Sequence, residues 1–243
     1  MSVLLRPRYL AVALAALFAG CAQTHNPDAL WQLISQQCVP DQQHHQQPAP
    51  CQQVDLARGY VTIKDRHGDL QYLLLPTNKI TGMESPKLLE PTSPRFFALA
   101  WQHRGLMAAK RGKAVPEEAI SLAINSERGR TQNQLHVHIS CLLPEVRTAL
   151  DRQAPSLGQT WRQTRLAGHH YLLRTLSTEE LAEESVFIRL AKEVPGARES
   201  MGDYGMAMAA LPSGQLVLMA TKAGLFSNAS AEELQDHDCA ILK

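Results

Sequence analysis

The sequence predicts an α+β protein in which helices pack against one face of an antiparallel sheet. Short stretches that alternate apolar and polar residues are typical of half-buried strands, and here they come in pairs joined by polar turns. Such tight turns join antiparallel neighbours. Helix-start signals lie between the pairs. The chain of 243 residues is 44% hydrophobic, which is ordinary for a protein with a real core.

The first half of the chain begins with a helix and continues into a hairpin. Ser93 followed by Pro94 is a typical helix start, because a hydroxyl caps the first turn and proline needs no N–H partner there. The elements expected in this half are, in order, a helix over 27–37, a Gln-, Pro- and His-rich loop over 38–53, strands over 59–64 and 70–75, a helix from Ser93 to about residue 110 that ends near Gly112, and a strand over 119–124.

The second half repeats helices and a hairpin without a sequence repeat. Ser177 with Glu180 has the spacing of a capping box, and Ser230 with Glu233 has it again near the C-terminus. The elements expected here are a helix over 145–152, a loop over 155–168, a strand led by residues 169–171, a helix from Ser177 to about residue 192, strands over 204–211 and 215–221, and a last helix that carries His237 and Cys239.

One stretch, residues 135–142, carries the densest chemistry and is called the histidine strand below. Its apolar residues alternate with His136, His138 and Ser140. Successive side chains of a strand point to opposite faces, so these three polar side chains are expected on one face. The preceding strand ends in Asn125, and an antiparallel hairpin would bring Asn125 near Gln132 at the start of the motif.

Several chemistries use two imidazoles at this spacing. One histidine can attack phosphorus while neighbouring donors stabilise the oxygens. The pair His136 and His138 can instead be two zinc ligands, although no third ligand is evident nearby. The sequence His138-Ile139-Ser140 can be half of a paired H-x-S/T site, although no second copy exists. Two ordinary surface histidines are the remaining interpretation.

The N-terminus has the features of an export signal. Arg6 and Arg8 precede an apolar run over 9–19, and small residues and Cys21 follow. The run is about half of the roughly 20 residues that a membrane-spanning helix needs. We expect either lipid anchoring at Cys21 or an uncleaved short anchor.

The remaining four cysteines form an even set, which suits an oxidising compartment. They allow three pairings. The local pairing is Cys38 with Cys51, and Cys141 would then pair with Cys239. A metal-binding cluster is the alternative, but no CxxC spacing exists. The net charge of +1 and the 5% aromatic content argue against a nucleic-acid partner.

The histidine strand and its surroundings resemble the signature of the histidine-triad (HIT) superfamily, His-φ-His-φ-His-φ-φ with φ apolar. The resemblance implies a HIT-like sheet, with His138 as the nucleophile on a nucleotide phosphate and His136 as its support. It implies that Asn125 and Gln132 contact the phosphate or orient the histidine. Ser140 stands where the family usually has a third histidine.

Longer runs resemble the family of bacterial CDP-diacylglycerol pyrophosphatases over nearly all of the chain after the signal. The runs that carry this resemblance are residues 38–43, 59–61, 70–77, 121–126, 129–133, 191–202 and 229–237. The resemblance implies hydrolysis of CDP-diacylglycerol to CMP and phosphatidate through a nucleotidyl-histidine. We expect no metal or other cofactor, because the motif offers a nucleophile without a third metal ligand nearby. It also implies a catalytic domain in the periplasm, held at the bacterial inner membrane by the N-terminus.

The sequence then divides into four regions. They are an anchor over 1–22, a disulfide-looped segment over 23–55, a HIT-like core over 56–145, and a C-terminal α/β extension of the same domain over 146–243. Two other functions remain open on the residues alone: a metal-dependent phosphodiesterase that uses His136 and His138 as ligands, and a non-catalytic lipoprotein that binds nucleotides or lipids.

Overall fold

The structure, a computed structural model, describes residues 26–243. The expected anchor over 1–22, with Cys21, lies outside these residues. Within residues 26–243, no helix is long and apolar enough to cross a membrane.

The centre of the fold is one antiparallel sheet, which confirms the predicted α+β class. Its strands are β1 (Gln53–Asp55), β2 (Tyr60–Lys64), β3 (Tyr72–Pro76), β4 (Ile120–Ile124), β5 (Val137–Leu142), β6 (Arg162–Leu166), β7 (His169–Leu176), β8 (Tyr204–Ala210), β9 (Leu216–Lys222) and β10 (Gln235–Asp236). The spatial order is β1-β2-β3-β5-β4-β8-β9-β7-β6, and β10 pairs with the end of β5. The expected hairpins β2–β3, β4–β5 and β8–β9 are all present.

Helices cover the sheet from both sides. The α-helices are α1 (Ala29–Leu33), α2 (Val39–His45), α3 (Phe96–Gln102), α4 (Gly105–Arg111), α5 (Pro144–Gln153), α6 (Thr178–Glu183) and α7 (Val186–Glu193). A π-helical turn, Ile34–Cys38, joins α1 to α2. Short 3-10 turns lie at Pro86–Leu89, Glu117–Ala119, Ala154–Ser156, Arg198–Asp203, Ala231–Leu234 and Ala240–Leu242.

The prediction that helices cover only one face is wrong. On the first face, Val137 and Ile139 pack with Phe96 and Phe97 of α3. On the second face, which carries His138, two separate apolar clusters form. Leu73 and Ala123 both lie opposite His138 in register and so share its face.

Each of these two residues belongs to a different cluster. Leu73 packs with Ile34 and Cys38 of the N-terminal helices. Ala123 packs with Val146 and Leu150 of α5. The histidine strand is therefore buried on both faces, and the polar side chains of β5 lie in the gap between two apolar covers.

The N-terminal helices extend further than predicted. Residues 39–45, expected as loop, continue the helix as α2. Pro40 lies in the first turn, where a missing N–H is tolerated, and Asp41 favours the same turn through its charge. His44 and His45, in the last turn of α2, are exposed.

Other local predictions were wrong where tertiary contacts override local propensity. The expected helix over 93–110 divides into α3 and α4, and Ser93 does not cap it. The expected loop over 155–168 contains β6, because it pairs with β7. The helix expected to reach residue 192 divides into α6 and α7, although its capping box between Ser177 and Glu180 is present.

The last helix is also a wrong prediction. Residues 231–242 form a 3-10 turn, the two-residue strand β10 and another 3-10 turn. Pairing explains this difference, since Gln235 and Asp236 add to the end of β5 opposite Leu142 and Cys141. Backbone bonds to β5 replace those that a helix would have made.

Both disulfides lie where the local pairing expected them. Cys38 and Cys51 are joined with a Cα separation of 5.7 Å, and Cys141 and Cys239 with a separation of 5.2 Å. The second bond ties the C-terminal segment to the first face of β5, because Cys141 has the opposite parity to His138.

Replacing Cys141 and Cys239 by Ala should lower stability and activity together. The closed loop spans 98 residues, so the chain-entropy account gives an upper figure of about 4–5 kcal/mol. Denaturant unfolding and turnover measure the two effects. The matched control removes the Cys38–Cys51 bond, whose separation is 13 residues and whose loss should cost about 3 kcal/mol. An unchanged unfolding midpoint in the Cys141 and Cys239 variant would contradict the expectation.

Candidate active site

A polar cluster forms on the second face where β5 begins. His136 lies just before β5, and His138 is its second residue. Gln71 precedes β3, and the C-terminal segment crosses this face with Glu232 and His237. The cluster thus joins residues from three distant parts of the chain.

Among the described residues, His138 has polar partners at only one of its two ring nitrogens. Its Nδ1 lies 3.2 Å from Gln71 Nε2 and 3.2 Å from Glu232 Oε1. Its Nε2 is buried and has no hydrogen-bond partner within the described residues. The residue as a whole is 5% exposed.

The two neighbours of Nδ1 favour opposite tautomers. A carboxylate oxygen only accepts, so Glu232 favours a proton on Nδ1 and leaves a lone pair on Nε2. The amide nitrogen of Gln71 only donates and favours the reverse. Gln71 Nε2, however, also lies 2.8 Å from Asp65 Oδ2, a shorter contact to a charged acceptor. The Gln71 amide has two N–H donors and can serve both Asp65 and His138, while Glu232 lies close enough to accept the proton of the ring when Nδ1 carries one.

Asn125 holds Glu232 at both ends. Its Nδ2 donates to Glu232 Oε2 at 3.0 Å, and its Oδ1 accepts from the Glu232 backbone N–H at 3.0 Å. The sequence placed Asn125 near the phosphate or the histidine. In the structure, Asn125 reaches His138 through the Glu232 carboxylate.

His237 closes the cluster on its exposed side. Its Nε2 lies 3.4 Å from Glu232 Oε1, and its Nδ1 bonds the side-chain oxygen of Gln71. Its side chain is 39% exposed, more than that of Glu232 at 24%. Gly68, with φ of +66°, lets the β2–β3 turn approach closely, since a Cβ there would lie 2.8 Å from the His237 carbonyl oxygen.

His136 supports the ring of His138. Its Nδ1–H donates to the Gln134 carbonyl oxygen at 2.6 Å, which fixes the ring. The two imidazoles meet edge to face, with centroids 4.9 Å apart.

Burial keeps both histidines neutral at physiological pH. Burial lowers the pKa of His138 to about 4, against the opposing negative charge of Asp65. Burial also lowers the pKa of His136 to about 4, and the charge of His138 acts in the same direction. Both rings therefore offer lone pairs at neutral pH rather than positive charge.

Two of the predicted site residues make no hydrogen bond to His138 within residues 26–243. Ser140 shares its face but is fully buried, and its hydroxyl has no partner within the described residues. Gln132 lies further away, where its side chain binds the N-terminal helix: Oε1 accepts from Leu30 N–H and Nε2 donates to the Asn26 carbonyl, both at 3.0 Å.

Sequence reasoning missed Gln71, Glu232 and Asp65 as members of the cluster. Glu232 and His237 lie in a run, residues 229–237, that carried the family resemblance, and this was the available signal. Gln71 also lies in such a run, residues 70–77, but nothing in its local pattern marks it as a neighbour of His138. Among residues 26–243, no group of three or more His, Cys, Asp or Glu side chains is arranged to hold a metal ion.

Comparison with known proteins identifies the family. The family model described as CDP-diacylglycerol pyrophosphatase matches residues 25–243. A CDP-diacylglycerol pyrophosphatase of Yersinia pestis is 52% identical over 221 residues, which cover 89% of this chain and 86% of the relative. The chain belongs to the CDP-diacylglycerol pyrophosphatase family.

Proposed function

We propose that this protein hydrolyses the pyrophosphate bond of CDP-diacylglycerol to CMP and phosphatidate, with His138 as the nucleophile. Membership of the family gives the reaction class, a hydrolase acting on a pyrophosphate bond. The observation that supports the histidine assignment is that His138 is a neutral imidazole whose Nε2 has no hydrogen-bond partner among the described residues. In this proposal the proton is on Nδ1, facing Glu232, and the lone pair is on Nε2.

The reaction runs in two displacements. The Nε2 lone pair of His138 attacks the phosphorus that bears cytidine, an N–P bond forms, and the P–O bond to phosphatidate breaks. Water then attacks the same phosphorus and gives a proton to the group that protonated the phosphatidate oxygen, the N–P bond breaks, and CMP leaves. The imidazole becomes cationic when the N–P bond forms and neutral again when that bond breaks.

Glu232 stabilises the charge that develops on the ring. As the N–P bond forms, the proton on Nδ1 becomes more acidic, and the carboxylate 3.2 Å away can accept a hydrogen bond from it. Asn125 keeps that carboxylate in place. This role resembles that of the buried carboxylate behind the histidine of a serine hydrolase.

His237 is our candidate for the imidazole that meets the leaving group. The Ser140 hydroxyl is buried, whereas His237 is the most exposed group of the cluster. The substrate therefore approaches from the side of His237, whose ring can donate a proton to the phosphatidate oxygen. In this proposal, a histidine from the C-terminal segment replaces the third histidine of the HIT signature.

We also propose the location and the domain division that the sequence suggested. Residues 1–22 would anchor the chain to the periplasmic side of the bacterial inner membrane, where the lipid substrate lies. Regions 56–145 and 146–243 form one catalytic domain in this proposal. Two observations support it: β4 pairs with β8, and Glu232 lies beside His138.

Replacing His138 by Ala should abolish turnover and covalent labelling, because the attacking lone pair is then lost. Brief incubation with CDP-diacylglycerol labelled in the cytidylyl phosphate, followed by denaturing electrophoresis, detects the labelled protein. Circular dichroism controls for folding. Substantial turnover or labelling in a folded His138→Ala protein would rule out the assignment. Loss of activity of the parent protein in EDTA with recovery in zinc would favour a metal-dependent phosphodiesterase instead.

Replacing Glu232 by Gln should lower kcat by about 10²-fold or more, the scale expected when a catalytic histidine loses its charged support. Glu233→Gln is the matched control. Glu233 has the same charge at the next position, but it bonds His169 and Tyr171 at 2.7 and 2.6 Å, outside the cluster. Steady-state kinetics compare the two, and equal losses of kcat would count against a role for Glu232 at His138.

Activity should persist on the acid side to well below pH 6. The attacking imidazole must be neutral, and burial lowers the pKa of His138 to about 4, so protonation stops the reaction only near that pH. The unfolded chain, with ordinary histidine pKa values, binds more protons between about pH 6.5 and 4, so stability falls as the pH drops through this window. Values of kcat/KM from initial rates at each pH measure this profile. Recovery of activity after return to neutral pH controls for acid unfolding. An acid limb centred near pH 6.5 would contradict the buried, neutral nucleophile.

A further inference from the structure

The largest exposed apolar side chains of residues 26–243 form a pair at one loop tip. Leu225 is 96% exposed and Phe226 is 93% exposed, whereas the next large apolar residue, Leu56, is 45% exposed. Two adjacent side chains with almost no contact to the rest of the chain are unusual for a surface that only faces water.

The backbone holds this tip in a fixed turn. Gly224 N–H donates to the Ser227 carbonyl at 2.9 Å, and the two residues form an isolated bridge. Leu225 and Phe226 are the two central residues of the turn, so they project away from the body of the protein. The loop base is packed closely on β8, since a Cβ at Gly205 would lie 2.1 Å from the Ala229 carbonyl oxygen.

The same loop is continuous with the candidate active site. Ser126 N–H donates to the Ala229 carbonyl at 3.1 Å, directly after Asn125. Glu232, the carboxylate at His138, is six residues from Phe226, a reach of at most about 20 Å. The tip therefore lies on the segment that completes the catalytic cluster.

The tip itself carries no acidic charge that an anionic surface would repel. The loop over 222–228 contains one cation, the exposed Lys222, and no acidic residue. Asp203, whose carbonyl accepts from Ala223 N–H at the loop base, has its charge partly balanced by Arg128 at 3.8 Å. Exposed Leu and Phe side chains together with a nearby cation are the residue types with which amphipathic helices bind the boundary between headgroups and acyl chains.

We propose that Leu225 and Phe226 insert into the phospholipid bilayer that holds the substrate and orient the active site towards it. This inference rests on the proposed function, since a lipid substrate with a pyrophosphate headgroup is presented at that boundary. The pair would act as a second membrane contact, independent of the N-terminal residues, and would bring the Glu232 segment to the depth of the scissile bond.

The direct test places a fluorophore at the tip of the full-length protein. Phe226→Trp keeps an aromatic side chain, and Leu56→Trp is the control on the turn between β1 and β2, far from β9 in the sheet order. With vesicles of phosphatidylethanolamine and phosphatidylglycerol that carry brominated acyl chains, we expect the emission of the tryptophan added at the tip to be quenched relative to the parent protein. The control should show no quenching. Absence of quenching in Phe226→Trp, or equal quenching in both variants, would overturn the proposal. This readout is independent of catalysis and so of the proposed function.

A kinetic test separates bilayer contact from an effect on the site. The double variant Leu225→Ser, Phe226→Ser should lower kcat/KM on CDP-diacylglycerol in vesicles by about tenfold or more. Its kcat/KM on CDP-glycerol, a water-soluble pyrophosphate without acyl chains, should be unchanged. Equal losses on both substrates would overturn the proposal. The proposal would also be overturned if the double variant had a lower oligomeric mass than the parent protein in solution without vesicles. The pair would then contact a second copy of the chain.

Discussion

The contact between Glu232 and His138 is the one on which the candidate site depends. Glu232 is the neighbour of Nδ1 that can accept a proton from it, because the other neighbour, Gln71, can only donate. The contact forms across two halves of the chain, so it exists only if the C-terminal segment is held against β5. Several contacts around the sheet hold the C-terminal segment in this position.

Three independent links hold that segment. Asn125 binds Glu232 twice, β10 pairs with the end of β5, and Cys239 is bonded to Cys141 behind the strand. The two apolar clusters on either side exclude water from the gap between them, which lowers the pKa of both histidines. Burial keeps both imidazoles uncharged, so each ring has one nitrogen with a lone pair.

Local sequence signals predicted the parts of the fold that local interactions determine. The hairpins, the capping box at Ser177 and the shared face of His138 and Ser140 follow from periodicity and turn chemistry. The same rules failed at the C-terminus, where Ser230 and Glu233 suggest a helix but pairing with β5 wins. Gln71 and Glu232 could not be predicted as neighbours of His138, because a hydrogen bond across 67 residues, such as that of Gln71, leaves no mark on local periodicity.

The central claim is that the reaction proceeds through a covalent bond between His138 and the cytidylyl phosphorus. The stereochemical course at that phosphorus tests it most directly. CDP-diacylglycerol made chiral by sulfur at this phosphorus would be hydrolysed in isotopically labelled water, and the configuration of the cytidine phosphorothioate product determined. Two displacements through His138 predict overall retention. Inversion would mean that water attacks the substrate directly and would contradict the account.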